Sequence, residues 1–259
     1  MIIIIMLFMM SGCSTMKTVS AMMQSTDDFM LHSKGNGFIF QETKHLSLAN
    51  EAEKYLEKSL DVVEKAQYRK FTKPINIYAV SSLDSLEKYC GYRFVLGCVV
   101  NEKVFLSPRI LTQPTGTLPR ILTHELSHLH IIQQLSMFEL VSIPTWFREG
   151  LAVYVSTKIE SDAKLDFKEA EIKIKEGNSF YPNKKGSIIF PKSHVSFGLS
   201  RSIFYRQVAS FVKFIHLNNK AGFEKLLLSI QEGKEFSVAF QSDIGTTIDL
   251  KWSSFVKQI

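Results

Sequence analysis

Cysteine is scarce in this chain: 259 residues contain three, Cys13, Cys90 and Cys98. Their spacing is not that of a zinc knuckle, which argues against a cysteine-built metal site. An apolar run long enough to cross a bilayer is also missing from the start of the chain, where Met1 to Met10 is wholly apolar but a spanning helix needs about 20 residues. Charge of one sign is nowhere concentrated. The 31 Lys and Arg are interspersed with 25 Asp and Glu, for a net charge of +6, so there is little reason to expect a nucleic-acid partner. The small excess reads as ordinary solvation or as mild attraction to anionic headgroups. No internal repeat is visible. What the chain does have is a hydrophobic fraction of 45%, enough for one large core or two modest ones in an enzyme-sized unit.

Residues 1–12 read as the hydrophobic stretch of an export signal, outside the fold. The ending Met10-Ser11-Gly12-Cys13 resembles the lipobox of bacterial lipoproteins, with Met10 in place of the usual Leu and no Lys or Arg ahead of the apolar stretch. The resemblance implies lipidation at Cys13 and anchoring in the cell envelope. With Ser14 rather than Asp next in line, it implies the outer membrane, facing the periplasm. An ordinary cleaved signal, or a buried first strand with an incidental Cys13, is the alternative. Residues 13–35 read as a tether. Cys90 and Cys98 remain as an even pair, suited to a disulfide in an oxidising compartment or else two free, partly buried thiols.

The expected domain, residues 36–259, is α+β. Apolar residues at Leu46, Ala49, Ala52, Leu56, Leu60 and Val63 recur at helical spacing, which predicts an amphipathic helix over 46–66. Runs rich in β-formers at Gly37 to Gln41, Ile75 to Val80 and Cys98 to Leu106 predict a small mixed sheet. Residues 36–135 thus hold the sheet and a central helix, and 136–259 a mainly helical part. The latter includes a helix from Thr145 to Ser156, a helical piece and a long loop across 158–200, and three C-terminal helices at 202–217, 223–230 and 250–256. A loop of that length suits a lid or a substrate wall.

The chemistry lies in the central helix. Leu122-Thr123-His124-Glu125-Leu126-Ser127-His128 contains His-Glu-x-x-His. Four residues at about 100° each bring His128 to within roughly 40° of His124, one turn along, so both imidazoles can reach one metal ion. Glu125 stands beside the first ligand, placed to take a proton from metal-activated water without coordinating. Zinc suits such donors and leaves a position open. Glu149, in Trp146-Phe147-Arg148-Glu149-Gly150-Leu151-Ala152, is an acidic residue in an otherwise apolar helix start, and a metal is a good partner for it.

A His-Glu-x-x-His helix followed by a Trp-Phe-x-Glu-Gly-Leu-Ala helix resembles the gluzincin metallopeptidases, the thermolysin-like group, and in particular the small peptidase-MA-like domains of bacteria. The likeness is strong over 118–156 and loose elsewhere in 37–259. It implies a zincin-like fold, one Zn2+ per chain held by His124, His128 and Glu149, Glu125 as general base, and a peptide or protein substrate. It also implies that the strand Val99 to Leu106 is an edge strand along the cleft, able to pair with an extended peptide. For a second donor to the oxyanion the candidates are Tyr205 and His194; the tyrosine-bearing helix resembles its counterpart in the same domains, which favours Tyr205, although a packing role is equally open. His130, about 200° around from His128, reads as structural or superficial, and Ser127 has no orienting partner that would make it a nucleophile. A non-catalytic, zinc-stabilised lipoprotein that binds peptides or assists envelope assembly is the alternative function.

Overall fold

The computed structural model describes residues 20–44, 46–159, 166–182 and 192–259. The signal stretch and Cys13 lie outside these residues. The chain divides into two compact units, 1–57 with 74–125 and 58–73 with 126–259. The division therefore runs through two helices, α1 (Ser47–Gln67) and α3 (Thr117–Gln134), rather than after residue 135.

The first unit is built on a five-stranded sheet, β1 (Met30–Lys34), β2 (Phe38–Gln41), β3 (Asn76–Ala79), β4 (Gly97–Val100) and β5 (Lys103–Leu106), in the order β1-β2-β3-β5-β4. β2, β3 and β5 are parallel, and an antiparallel strand closes each side. β3 and β5 read as almost continuous apolar runs, with Ile77, Tyr78, Ala79, Val104, Phe105 and Leu106 all buried, as befits strands covered on both faces. Leu48, Ala49, Ala52 and Leu56 of α1 are buried at the helical spacing read from the sequence. The short helix α2 (Leu83–Cys90) starts at Ser82, whose hydroxyl accepts from Ser85 N at 3.1 Å, and ends at Gly91 in the left-handed region. Phe29, Tyr78, Tyr89 and Phe105 stack and edge into one aromatic cluster with Cys90.

Two expectations change here. The tether does not extend to residue 35: Phe29 is buried and residues 30–34 pair with β2. Because β1 is an outer strand with one face open, its sequence Met-Leu-His-Ser-Lys is too polar to stand out. The run 98–106 is not one strand but the hairpin β4–β5, turned at Asn101 and Glu102, both with positive φ. That is the left-handed pair a two-residue hairpin requires, made here without the usual glycine. A disulfide joins Cys90 to Cys98 and so ties the end of α2 to β4.

The second unit is helical. α4 (Met137–Ser142) is a single turn and a half, capped by Ser136 and Glu139. α5 (Thr145–Ser156) packs along α7 (Arg201–Asn218). They approach so closely at Gly150 that a Cβ there would stand 2.6 Å from the Val208 carbonyl oxygen, so only glycine fits. α6 (Lys168–Lys175), α8 (Lys220–Gln231), α9 (Phe236–Ile244) and α10 (Ile248–Gln258) complete the unit, with a 3-10 turn at His194–Phe197. Among the described residues there are four C-terminal helices where three were expected, the additional α9 being only nine residues long and weakly periodic. Trp146, Phe147, Phe211, Phe236 and Phe255 form the core with Phe180. Buried Gln207 receives Phe180 N at 3.1 Å and donates to Asn178 O at 2.8 Å, which pins residues 178–180.

Candidate metal centre

α3 buries Leu118, Leu122, Leu126 and Leu129, a stripe at i, i+4, i+8 and i+11. His124 and His128 lie off that stripe and are half-buried, as is Glu149 on α5. One donor atom from each of the three residues lies within 4.8 Å of the others, and His128 Nε2 is 3.5 Å from Glu149 Oε2. Two ligands about 2.0–2.1 Å from one tetrahedral metal ion are separated by roughly 3.4 Å, so the His128–Glu149 spacing is that of two donors to a shared ion. Two imidazoles and a carboxylate are also the donor chemistry that zinc accepts in sites with an open position. The residues present therefore fit a metal ion.

Glu149 is placed by packing. Trp146, Phe147, Gly150 and Leu151 are buried, which leaves the intervening residues Arg148 and Glu149 half-buried beside that apolar face. Trp146 is fixed further by its indole N–H, which donates to Pro182 O at 3.0 Å. Arg148 is desolvated, which lowers its pKa, while neighbouring Glu149 favours its charged form.

Glu125 is buried and belongs to the same unit as β4. A Cβ at Gly97, the first residue of β4, would lie 2.8 Å from Glu125 Cγ and 3.0 Å from its Oε1. The carboxylate side chain thus rests against the backbone of the sheet's terminal strand in the space left by a missing side chain. Gly97 is a site residue the sequence reading did not single out. A glycine at a strand-like run marks such close approaches, and Gly97 directly precedes the run that begins at Cys98.

The back of α3 is held by amides. Gln67 Nε2 donates to Ser127 Oγ at 2.6 Å, and Gln231 Nε2 donates to Gln67 O at 2.8 Å. Gln133 Oε1 accepts from Thr72 N at 3.2 Å and Lys73 N at 3.1 Å. His130 is fully buried, with Nε2 2.9 Å from Arg69 O and its ring edge-on to Phe71. Burial pushes its pKa down. His130 and Ser127 are thus structural groups, and the buried glutamines that brace this face of α3 are a second feature missed in the sequence, since buried glutamine has no local signature.

Tyr205, on α7, is half-buried between the Phe204 ring and the Arg201 guanidinium, 5.8 Å from its centroid. His194 opens the 3-10 turn of the second unit. Neither belongs to the His-His-Glu group.

No protein-family model and no curated protein sequence matches the chain. Among solved structures, the fold is similar to that of yeast LTA4 hydrolase in complex with bestatin, with a TM-score of 0.56 at 13% sequence identity. The match covers 88% of this chain and 39% of that one, so the chain spans about two fifths of that protein's length.

Proposed function

We propose that the chain is a zinc-dependent peptidase of gluzincin type. The observation that carries this reading is the convergence of His124, His128 and Glu149 donor atoms within 4.8 Å, with Glu125 between the two histidines and not among the donors. Similarity of fold to a hydrolase supports it.

When bound by these three residues, zinc supplies Lewis acidity toward a carbonyl and toward water. The remaining work falls to the chain's own groups. Glu125 takes a proton from the attacking water and delivers it to the leaving amine, and its burial against Gly97 limits the positions its carboxylate can take. The outer edge of β4 is unpaired among the described residues and offers backbone donors and acceptors to an extended peptide. Tyr205 is our candidate second donor to the oxyanion. We also propose, from residues 1–13 alone, that the protein is lipid-anchored in the bacterial envelope and faces the periplasm. Among the described residues no helix is long and apolar enough to cross a membrane.

The test is zinc content and cleavage of an unstructured protein by the wild type and by Glu125→Gln. One zinc per chain in both, with cleavage by the wild type alone, supports the reading. Absence of zinc from the wild type refutes it, and zinc in both without cleavage favours a zinc-stabilised peptide-binding protein instead.

A further inference from the structure

The β4–β5 ladder does not stop at Gly97. Ser107 N donates to Leu96 O at 2.9 Å, one step beyond the Gly97↔Leu106 pair. Past that step the chain opens into the loop between the bridged Cys90 and Cys98. The loop displays two aromatic rings to solvent, Tyr92 at 51% and Phe94 at 69% exposure. Rings this exposed contribute little to the buried core.

The charges beside them differ in a telling way. Arg93 is ion-paired with Asp84, and its Nη1 is 3.8 Å from Glu87 Oε2. Arg109, two residues beyond Ser107, has no carboxylate partner among the described residues. Its guanidinium sits 5.8 Å from the Phe94 ring centroid, with Nη1 3.5 Å from Phe94 O. The open end of the hairpin therefore holds an uncompensated cation against an exposed aromatic face, on a scaffold fixed by a disulfide and a ladder hydrogen bond.

We infer that Phe94 and Arg109 form a specificity subsite that receives an acidic side chain of the peptide. The inference rests on the peptidase reading above. Phe94 is three residues from Gly97 on a loop that bends back on itself, which puts the two at most about 10 Å apart. A peptide lying along the outer edge of β4, with its scissile bond near Glu125, reaches this patch within about three residues of that bond. There the carboxylate meets the guanidinium while the aliphatic part of the residue lies on the ring. The closed loop lowers the ordering cost of the contact.

The experiment is digestion of a random peptide library by the zinc-loaded full chain, with the cleavage sites read by mass spectrometry. Wild type, Arg109→Glu and Phe94→Ala are compared. An exposed ion pair of this kind supports about a fivefold preference for Asp or Glu over Lys at one position within about three residues to one side of the cut. Arg109→Glu abolishes or inverts that ratio, and Phe94→Ala reduces it. Cleavage with the same profile in all three proteins overturns the subsite and leaves the peptidase reading intact. No cleavage by the wild type removes both. If Phe94→Ala instead loses binding to anionic vesicles and keeps its cleavage profile, the patch belongs to a lipid surface and the proposal fails.

Discussion

The two helices that carry the candidate metal ligands are secured by opposite means. α3 is held from behind by directional hydrogen bonds: Gln67 donates to Ser127, Gln133 of the helix accepts from Thr72 N and Lys73 N, and Gln231 donates to the Gln67 carbonyl. α5 is held by apolar contact, through Trp146 and Phe147 and the close approach of Gly150 to α7. The difference matters because His124 and His128 are one turn apart on a single helix, so their spacing is intrinsic to the helix. Glu149 reaches them only through tertiary packing. The centre is thus two ligands set by local geometry and a third set by the core, and faults in the core should reach the metal first.

Three substitutions probe that asymmetry. Phe147→Ala opens a cavity in a fully buried position and should cost about 3–5 kcal/mol in chemical denaturation, with zinc affinity falling in step. Gly150→Ala drives a methyl group against the Val208 carbonyl, a backbone atom with little freedom to withdraw. We expect about 1–3 kcal/mol of destabilisation and a zinc dissociation constant raised at least about tenfold, since the displaced helix carries Glu149. Gln67→Ala removes the donor to Ser127 and should cost roughly 1–2 kcal/mol while leaving zinc affinity within about twofold of wild type, because the helix itself preserves the histidine spacing. Equal losses of affinity in Gly150→Ala and Gln67→Ala, measured by competition with a chelating dye, would erase the distinction drawn here.

The smallest effect is set by pH. Burial lowers the His130 pKa in the folded protein, so below the ordinary histidine value of about 6.5 the unfolded chain takes up a proton that the folded chain refuses. Stability present above that value is therefore lost as the pH falls toward the folded pKa. In metal-stripped protein, the drop in melting temperature between neutral and mildly acidic pH should be shallower for His130→Gln than for wild type. Parallel curves would show that His130 does not contribute.

What the sequence made legible follows the same line. His124, Glu125, His128 and Glu149 stand in two short helical segments, and each pattern is written within a dozen residues. The long helix α1 was visible because its apolar positions repeat over about five turns. Gly97 acquires its meaning only from Glu125, and Gln67 only from Ser127, 60 positions away; no window on the sequence contains either pair. β1 and the β4–β5 turn were obscured for a related reason, since a half-exposed strand and a turn built from Asn101 and Glu102 lack the alternation and the glycine that usually announce them.

The terminal position of β4 carries a hazard as well as an opportunity. A strand that ends a sheet is a template for any passing chain, including another copy of itself, and where such edges are long and flat they seed aggregation. Here the edge is only four residues long, bounded by a cross-linked loop on one side and a tight left-handed turn on the other. Such brevity gives a second molecule too few rungs for durable pairing, so colloidal stability at this edge depends on its boundaries. Opening the Cys90–Cys98 bridge would lengthen the accessible backbone and shift the molecule toward self-association.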